Sequence, residues 1–131
     1  MSLLQRRFAA VFPLCLLAVI PACTRPAPNN ALSIQITAPS VQCLQNGQVG
    51  VIEVPQAGAC WTGPDSKTPV QVQLPANCPF SQCSFPTASG SMCSGQASPG
   101  SDGQTFTYTS IKINGNPCTV GTDGLRIKPG P

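Results

Sequence analysis

The sequence predicts an all-β fold, a small antiparallel β-sandwich or barrel held together by about three disulfide bonds. Three observations lead to this prediction. Apolar residues recur at every second position in several short segments, which is the pattern of a half-buried strand. Ten prolines between positions 39 and 129 leave only the windows 40–54 and 100–116 longer than 12 residues, and neither window shows the apolar repeat of a helix. Six cysteines follow position 40, in a chain without histidine.

The strands follow from this alternation in chain order. Three segments alternate with their apolar residues on one face: 32–36 (LSIQI), 70–74 (VQVQL) and 125–127 (LRI). Segment 47–54 (GQVGVIEV) is rich in β-formers but changes phase between Val51 and Ile52, which either a bulge or burial on both faces would explain. Segment 105–113 (TFTYTSIKI) changes phase after Tyr108, and we expect a β-bulge near Thr109 and Ser110 to reconcile its two halves.

Turns and one long loop separate these strands. The segments 114–117 (NGNP) and 121–124 (GTDG) have turn chemistry, because Asn-Gly readily adopts the positive φ angles of a tight hairpin. Between about 76 and 104 the strand signal fades, and three cysteines there predict a loop pinned by disulfides. With five to seven short strands, an immunoglobulin-like sandwich is the favoured form, although Trp61 directly follows Cys60 instead of lying midway between two cysteines.

The first 22 residues have the layout of a secretory signal. Met1–Arg7 carries two arginines and no acid, and Phe8–Ile20 is a 13-residue apolar run interrupted only by Pro13. As a helix this run would reach about 20 Å, which is short of a hydrocarbon core of about 30 Å. We therefore expect an export signal rather than a transmembrane helix.

The segment Ile20-Pro21-Ala22-Cys23 resembles the lipobox of bacterial lipoproteins. In that family an aliphatic residue, a loosely specified residue and a small residue precede the cysteine, and Pro21 departs from the more usual Ala or Ser. The resemblance implies that the Cys23 thiol is linked to diacylglycerol, that the chain is cut before it, and that its new amine is acylated, typically with palmitate. By the same resemblance, Thr24 rather than Asp favours the outer membrane over the inner one. The alternative is ordinary cleavage after Ala22, which leaves Cys23 free or disulfide-bonded.

Cysteine parity favours lipidation. Of the eight cysteines, Cys15 leaves with the signal and Cys23 carries the lipid, so an even set remains for disulfides: Cys43, Cys60, Cys78, Cys83, Cys93 and Cys118. The sequence does not choose among their pairings, but Cys78 and Cys83 are near enough to close a local loop. A bridge from Cys43 to Cys60 would span the 47–54 strand. Without a C-x-x-C pair or a histidine, we expect neither a metal site nor a thiol-exchange site.

The chain thus divides into a signal peptide (1–22), a lipidated cysteine with a proline-rich tether (23–30) and a disulfide-bonded β-domain (31–131). Removing Arg6 and Arg7 leaves five basic residues against four acids, a formal charge of +1, which disfavours nucleic acid as a partner. The Ser-His-Asp and Cys-His machineries both need histidine, and the four acids are scattered singly. We expect no catalytic residues and no cofactor.

The predicted function is therefore a non-catalytic lipoprotein of the bacterial envelope, bound to the membrane through its lipid and acting as a protein-binding or structural module of the outer membrane. The alternative is a small inhibitor or exclusion lipoprotein that acts on a hydrolase, a phage receptor or a conjugation apparatus. A hydrolase that uses carboxylates alone is a third class. Among the aromatic residues, we expect Phe106 and Tyr108 in the core, and Trp61, Phe80 and Phe85 in loops, packed on disulfides.

Overall fold

The computed structural model describes residues 30–37 and 41–129. The predicted signal peptide, Cys23 and the tether up to residue 29 lie outside the described residues. Within them the chain forms short β-strands and no helix: β1 (Leu32–Gln35), β2 (Val51–Val54), β3 (Ala59–Thr62), β4 (Val70–Gln73), β5 (Ser91–Cys93), β6 (Thr105–Thr107), β7 (Ser110–Ile113), β8 (Asn116–Pro117) and β9 (Gly124–Ile127). The predicted all-β class is confirmed.

The strands form three sheets of three strands each, in the orders β2-β9-β6, β1-β3-β5 and β4-β7-β8. Four of the six strand pairings are antiparallel, while β1 with β3 and β2 with β9 run parallel. The described strands do not close into a barrel, and their small sheets are consistent with a sandwich. The immunoglobulin-like form stays a prediction.

The strictly alternating segments supply much of the core, as predicted. Their inward residues are at most 1% exposed: Ile34, Ile36, Val70, Val72, Leu125 and Ile127. Alternation places them on one face of each strand because successive strand side chains point to opposite sides. Burying each of these side chains contributes about 1.5–3 kcal/mol.

The aromatic residues occupy the middle of this core. Phe106 and Tyr108 are buried as expected, and so are Phe80 and Phe85. Trp61 is fully buried, but it lies in strand β3 and not in the predicted loop. Its ring centroid is 5.4 Å from that of Phe85 and 6.3 Å from that of Tyr108, distances typical of favourable aromatic pairs.

Three local predictions are wrong, each because a strand ends or pairs where the pattern does not show it. The phase change after Tyr108 is not a bulge: β6 pairs with β9 and β7 pairs with β4, so the chain changes sheets there. Segment 47–54 is a strand only from Val51, and Val51 is 48% exposed, so its faces are not both buried. The 76–104 loop contains β5, which pairs with β3.

The six cysteines form three disulfides. One is the local bridge Cys78–Cys83, which the short spacing of these two cysteines allows. The other two are Cys60–Cys93 and Cys43–Cys118, so a Cys43–Cys60 pairing is wrong. Cys60 in β3 lies directly opposite Cys93 in β5, and their Cα atoms are 4.0 Å apart. The 41–49 loop brings the Cα atom of Cys43 to 5.8 Å from that of Cys118. The Cys43–Cys118 bridge spans 75 residues and is worth about 4 kcal/mol if it acts mainly on the unfolded chain.

The predicted Asn-Gly hairpin is confirmed. Asn114 and Gly115 have φ angles of 53° and 78° and connect β7 with β8. Two successive positive φ angles are the signature of the two-residue turn whose twist matches that of the flanking strands.

Candidate protein-binding surface

The four carboxylates of the β-domain are occupied with structural contacts. Asp65 accepts hydrogen bonds from the backbone nitrogens of Lys67 (2.8 Å) and Thr68 (2.7 Å), and these donors lower the pKa of its carboxyl group. Glu53 on β2 forms a salt bridge with Arg126 on β9, with Glu53 Oε2 and Arg126 Nη1 2.6 Å apart. Asp102 accepts a hydrogen bond from the Gln56 amide, and Asp123 is described below.

The buried phenol of Tyr108 is a structural group of the same kind. Its hydroxyl accepts a hydrogen bond of 2.9 Å from the Trp61 indole nitrogen. Burial raises the pKa of Tyr108 to about 12, because the phenolate would lose its hydration. Over the described part of the chain, no three histidine, cysteine or acidic residues are grouped so that they could hold a metal ion. The same residues include no helix long and apolar enough to cross a membrane.

Among the residues that the structure describes, the large apolar side chains that are exposed lie in one segment, residues 41–51. Val41 is 72% exposed, Val49 is 44% exposed and Val51 is 48% exposed. We call these three residues the valine surface. Single exposed apolar residues are ordinary in soluble proteins, whereas several in one place often mark an interaction site.

The segment that carries the valine surface is fastened to the core at several points. The Cys43–Cys118 disulfide crosses it. Backbone hydrogen bonds join Thr37 nitrogen to Cys43 oxygen (2.8 Å) and Thr119 nitrogen to Val41 oxygen (2.7 Å). Leu44 also forms a β-bridge with Ile36. These contacts hold the segment in one conformation, which lowers the entropy that a binding partner would have to remove.

Asp123 joins the two ends of this segment. One carboxylate oxygen accepts a 2.6 Å hydrogen bond from the Gly50 backbone nitrogen, and the other accepts a 2.8 Å bond from the Gln42 amide. The residue is 6% exposed, so it acts from beneath the surface. One buried carboxylate therefore positions both the start of β2 and the residue next to Val41.

An open groove of about 690 Å³ lies along the same segment. Its lining is uncharged: Thr37, Gln42, Leu44, Gln45, Asn46 and Val49. Leu44 is buried beneath it. The groove thus offers amide groups beside an apolar base, which suits a neutral polar chain such as a polypeptide better than a charged ligand.

Strand β2, which begins at Val51 of the valine surface, has an open outer edge. Its even-numbered residues bond to β9, as shown by the 3.0 Å bond from Gly124 nitrogen to Gly50 oxygen and the 2.8 Å bond from Lys128 nitrogen to Val54 oxygen. In a parallel pair the intervening residues point their N–H and C=O groups the other way. Those groups of Val51 and Glu53 have no hydrogen-bond partner within 30–37 and 41–129.

The outer edge of β1, in contrast, is covered by a side chain. The Gln48 amide oxygen accepts a 3.1 Å bond from Gln35 nitrogen, and its amide nitrogen donates a 3.2 Å bond to Ser33 oxygen. Gln48 thereby occupies the groups that a neighbouring strand would use. In contrast to β1, β2 is an edge strand whose outward backbone groups are unpaired in the part of the chain that the structure describes.

Comparison with protein-family models, curated proteins and solved structures found no match to this chain.

Sequence reasoning and the structure agree only in part about functional residues. All six predicted disulfide cysteines are bonded, and the predicted lipidation residue Cys23 lies outside the described residues. The valine surface and the β2 edge were not predicted. A signal was present: Val49, Val51 and Glu53 share one parity, so a strand face that carries a glutamate would also carry the valines to solvent.

Proposed function

We propose that this protein is a non-catalytic lipoprotein of the bacterial envelope whose β-domain binds another protein through the valine surface and the adjacent edge of β2. The observation that carries the binding proposal is a rigidly held segment that exposes three valines beside unpaired backbone groups. The valines offer a partner apolar area, and the unpaired backbone groups offer it directional hydrogen bonds.

The anchor rests on the lipobox-like segment that ends at Cys23. A single acyl chain holds a protein only marginally, whereas two or more give a stable anchor at about 0.8 kcal/mol for each buried methylene. Thr24 supports delivery to the outer membrane. The proline-rich residues 24–29 would separate the β-domain from the lipid surface.

The contacts of the carboxylates support a non-catalytic role. A glycosidase-type mechanism needs two carboxyl groups facing a substrate cleft. Here Glu53 pairs with Arg126, and Asp123 holds the Gly50 amide from a buried position. Each of these contacts serves the fold, and the uncharged groove has no acid in its lining.

The inhibitor or exclusion role remains the second candidate, and the Cys43–Cys118 bridge favours it. A disulfide that fixes an exposed segment in its bound conformation reduces the cost of inserting that segment into a target. Inhibition of a lysozyme or of phage adsorption by the purified protein, lost on substitution of Val41, would support this candidate over a structural module.

Mass spectrometry of the membrane-purified protein tests the anchor. We expect an amino-terminal peptide that begins at Cys23 and carries a diacylglyceryl group and an acyl chain. Cys23→Ala should abolish this product, while the matched variant Cys15→Ala should leave it intact, because Cys15 departs with the signal. An unmodified Cys23 in the membrane-purified protein would refute the anchor.

Cross-linking in intact envelopes tests the binding surface. We expect a discrete partner to be recovered with the unaltered chain and to be lost with the double variant Val41→Ser/Val49→Ser. Thr105→Ser is the matched control, because Thr105 is exposed on β6 at the opposite edge of the same sheet. Recovery of the same partner with all three chains would show that the valine surface does not bind it.

A further inference from the structure

We propose that the outer edge of β2 pairs with β2 of a second copy of this chain, in antiparallel orientation about a twofold axis. The pairing joins the two β2-β9-β6 sheets into one continuous sheet of six strands. It deepens the proposed function by naming a partner for this edge.

The hydrogen-bonding pattern of β2 selects a single register. The outward backbone groups belong to Val51 and Glu53, which are two positions apart. If Ile52 lies on the twofold axis, Val51 of each copy faces Glu53 of the other, and each pair exchanges two hydrogen bonds. All four outward groups on each strand are then satisfied.

The neighbouring registers satisfy fewer groups. Centring the axis on Val51 would require Val49 to continue the strand, but Gly50 has a φ of +86° and turns the chain away. Centring it on Glu53 would place two glutamates opposite each other and would bring in Pro55, which has no N–H. The favoured register sets each glutamate against a valine, so it opposes no like charges directly.

The other sheet edges are less suited to self-pairing. Gln48 covers the edge of β1. Segment 84–88 covers β4, with Val70 nitrogen bonded to Ala88 oxygen (2.8 Å) and Phe85 nitrogen bonded to Val72 oxygen (3.1 Å). Strands β5 and β6 have three residues each. Val49 precedes β2 and Val51 begins it, and both are exposed, so pairing there also removes apolar area from water.

The contact is small, which determines where it should be observed. A strand pair of this length involves far fewer than the roughly 20–30 residues on each side of a stable interface. Tethering many copies to one membrane raises their effective concentration and favours a weak contact of this kind. This step rests on the proposed lipid anchor, whereas the register does not.

Photo-cross-linking of the full chain in the bacterial envelope tests the pairing. A photoreactive amino acid replaces Val49, which is exposed beside β2 without belonging to the strand. We expect an adduct with twice the mass of the chain. The same amino acid at Thr107, exposed on the other edge strand β6, should give no such adduct.

A pair of charge variants then tests the register. Val51→Lys places a lysine opposite Glu53 of the second copy and should increase the adduct severalfold. Val51→Glu places two acids opposite each other and should eliminate it. Both substitutions fall on a half-exposed side chain, and the intact-disulfide mass together with an unchanged melting temperature checks that each variant folds.

The outcomes separate the pairing from the proposed function. Absence of the double-mass adduct, adducts with other proteins alone, or equal effects of the two charge variants would each overturn the pairing. Mass spectrometry of Cys23 in the same samples reports on the anchor. A self-adduct from a chain with unmodified Cys23 would support the pairing and overturn the lipid anchor. A lipidated chain without a self-adduct would support the anchor and overturn the pairing.

Discussion

Removal of the Tyr108 hydroxyl is the most direct test of how the core is organised. Trp61 is fully buried, and its indole nitrogen donates a 2.9 Å hydrogen bond to that hydroxyl. Tyr108→Phe keeps the ring, and hence its edge-on contact with the indole, but it removes the acceptor of the buried indole N–H. The variant therefore isolates one hydrogen bond from the surrounding packing.

The cost follows from the burial of the donor. An unsatisfied buried donor costs about 1–3 kcal/mol, more than the net value of an ordinary hydrogen bond. Set against a total stability of about 5–15 kcal/mol for a small domain, this loss is large. At about 4–8 °C per kcal/mol for a domain of this size, the melting temperature should fall by roughly 5–20 °C.

Guanidinium unfolding with the disulfides intact measures this cost, and circular dichroism follows the unfolding of every variant. Trp61→Phe provides the control, because it removes the donor. In that background Tyr108→Phe should cost much less than in the unaltered chain, since no N–H is orphaned. Equal costs in the two backgrounds, or a cost below about 0.5 kcal/mol in the unaltered chain, would refute the reasoning.

The remaining predictions concern one ionisation, two glycines and one carboxylate. Burial raises the pKa of Tyr108 from 10.0 to about 12, so its contribution of roughly 2–3 kcal/mol to the free energy of unfolding should be complete below pH 10 and should be lost as the pH rises through 12. An absorbance titration of this single tyrosine with a midpoint near 10 would contradict this. Gly58→Ala should lower the free energy of unfolding by at least about 2 kcal/mol more than Gly100→Ala, as measured by denaturant unfolding. Both glycines have a positive φ, but only a Cβ at Gly58 would overlap the Gly95 carbonyl oxygen. Similar costs for the two variants would count against that close approach. Asp123→Ala should speed amide hydrogen exchange in residues 41–50 and leave the β4–β7 pair unchanged, whereas uniform acceleration would mean that the carboxylate stabilises the whole domain.

Features that depend on neighbouring residues were predictable from the sequence. The alternation in 70–74 and 125–127 identified buried faces because side chains alternate along any strand. Asn114-Gly115 identified a hairpin because only a few residues tolerate positive φ. The spacing of five positions between Cys78 and Cys83 allowed the local bridge that the structure contains, although the sequence did not choose among the pairings. In each case the physical cause lies within a few residues of its effect.

Features that depend on distant residues were not predictable in this way. The phase change after Tyr108 looked like a bulge, since the sequence does not show that β6 and β7 belong to different sheets. Cys43 could have paired with Cys60 until the folded chain set Cys60 opposite Cys93. The open backbone edge of β2 depended on which strand pairs with it, and β2 pairs on one side only, with β9, more than 70 residues later.

The sequence by itself determined the all-β class, the alternating core faces, the even set of disulfide cysteines and the lipobox-like segment at Cys23. The tertiary structure alone decided which cysteine each of Cys43 and Cys60 pairs with, the burial of Asp123 and the open edge of β2. The reason is that backbone periodicity and turn chemistry act locally, whereas disulfide pairing, burial and strand edges depend on which distant segments meet when the chain folds.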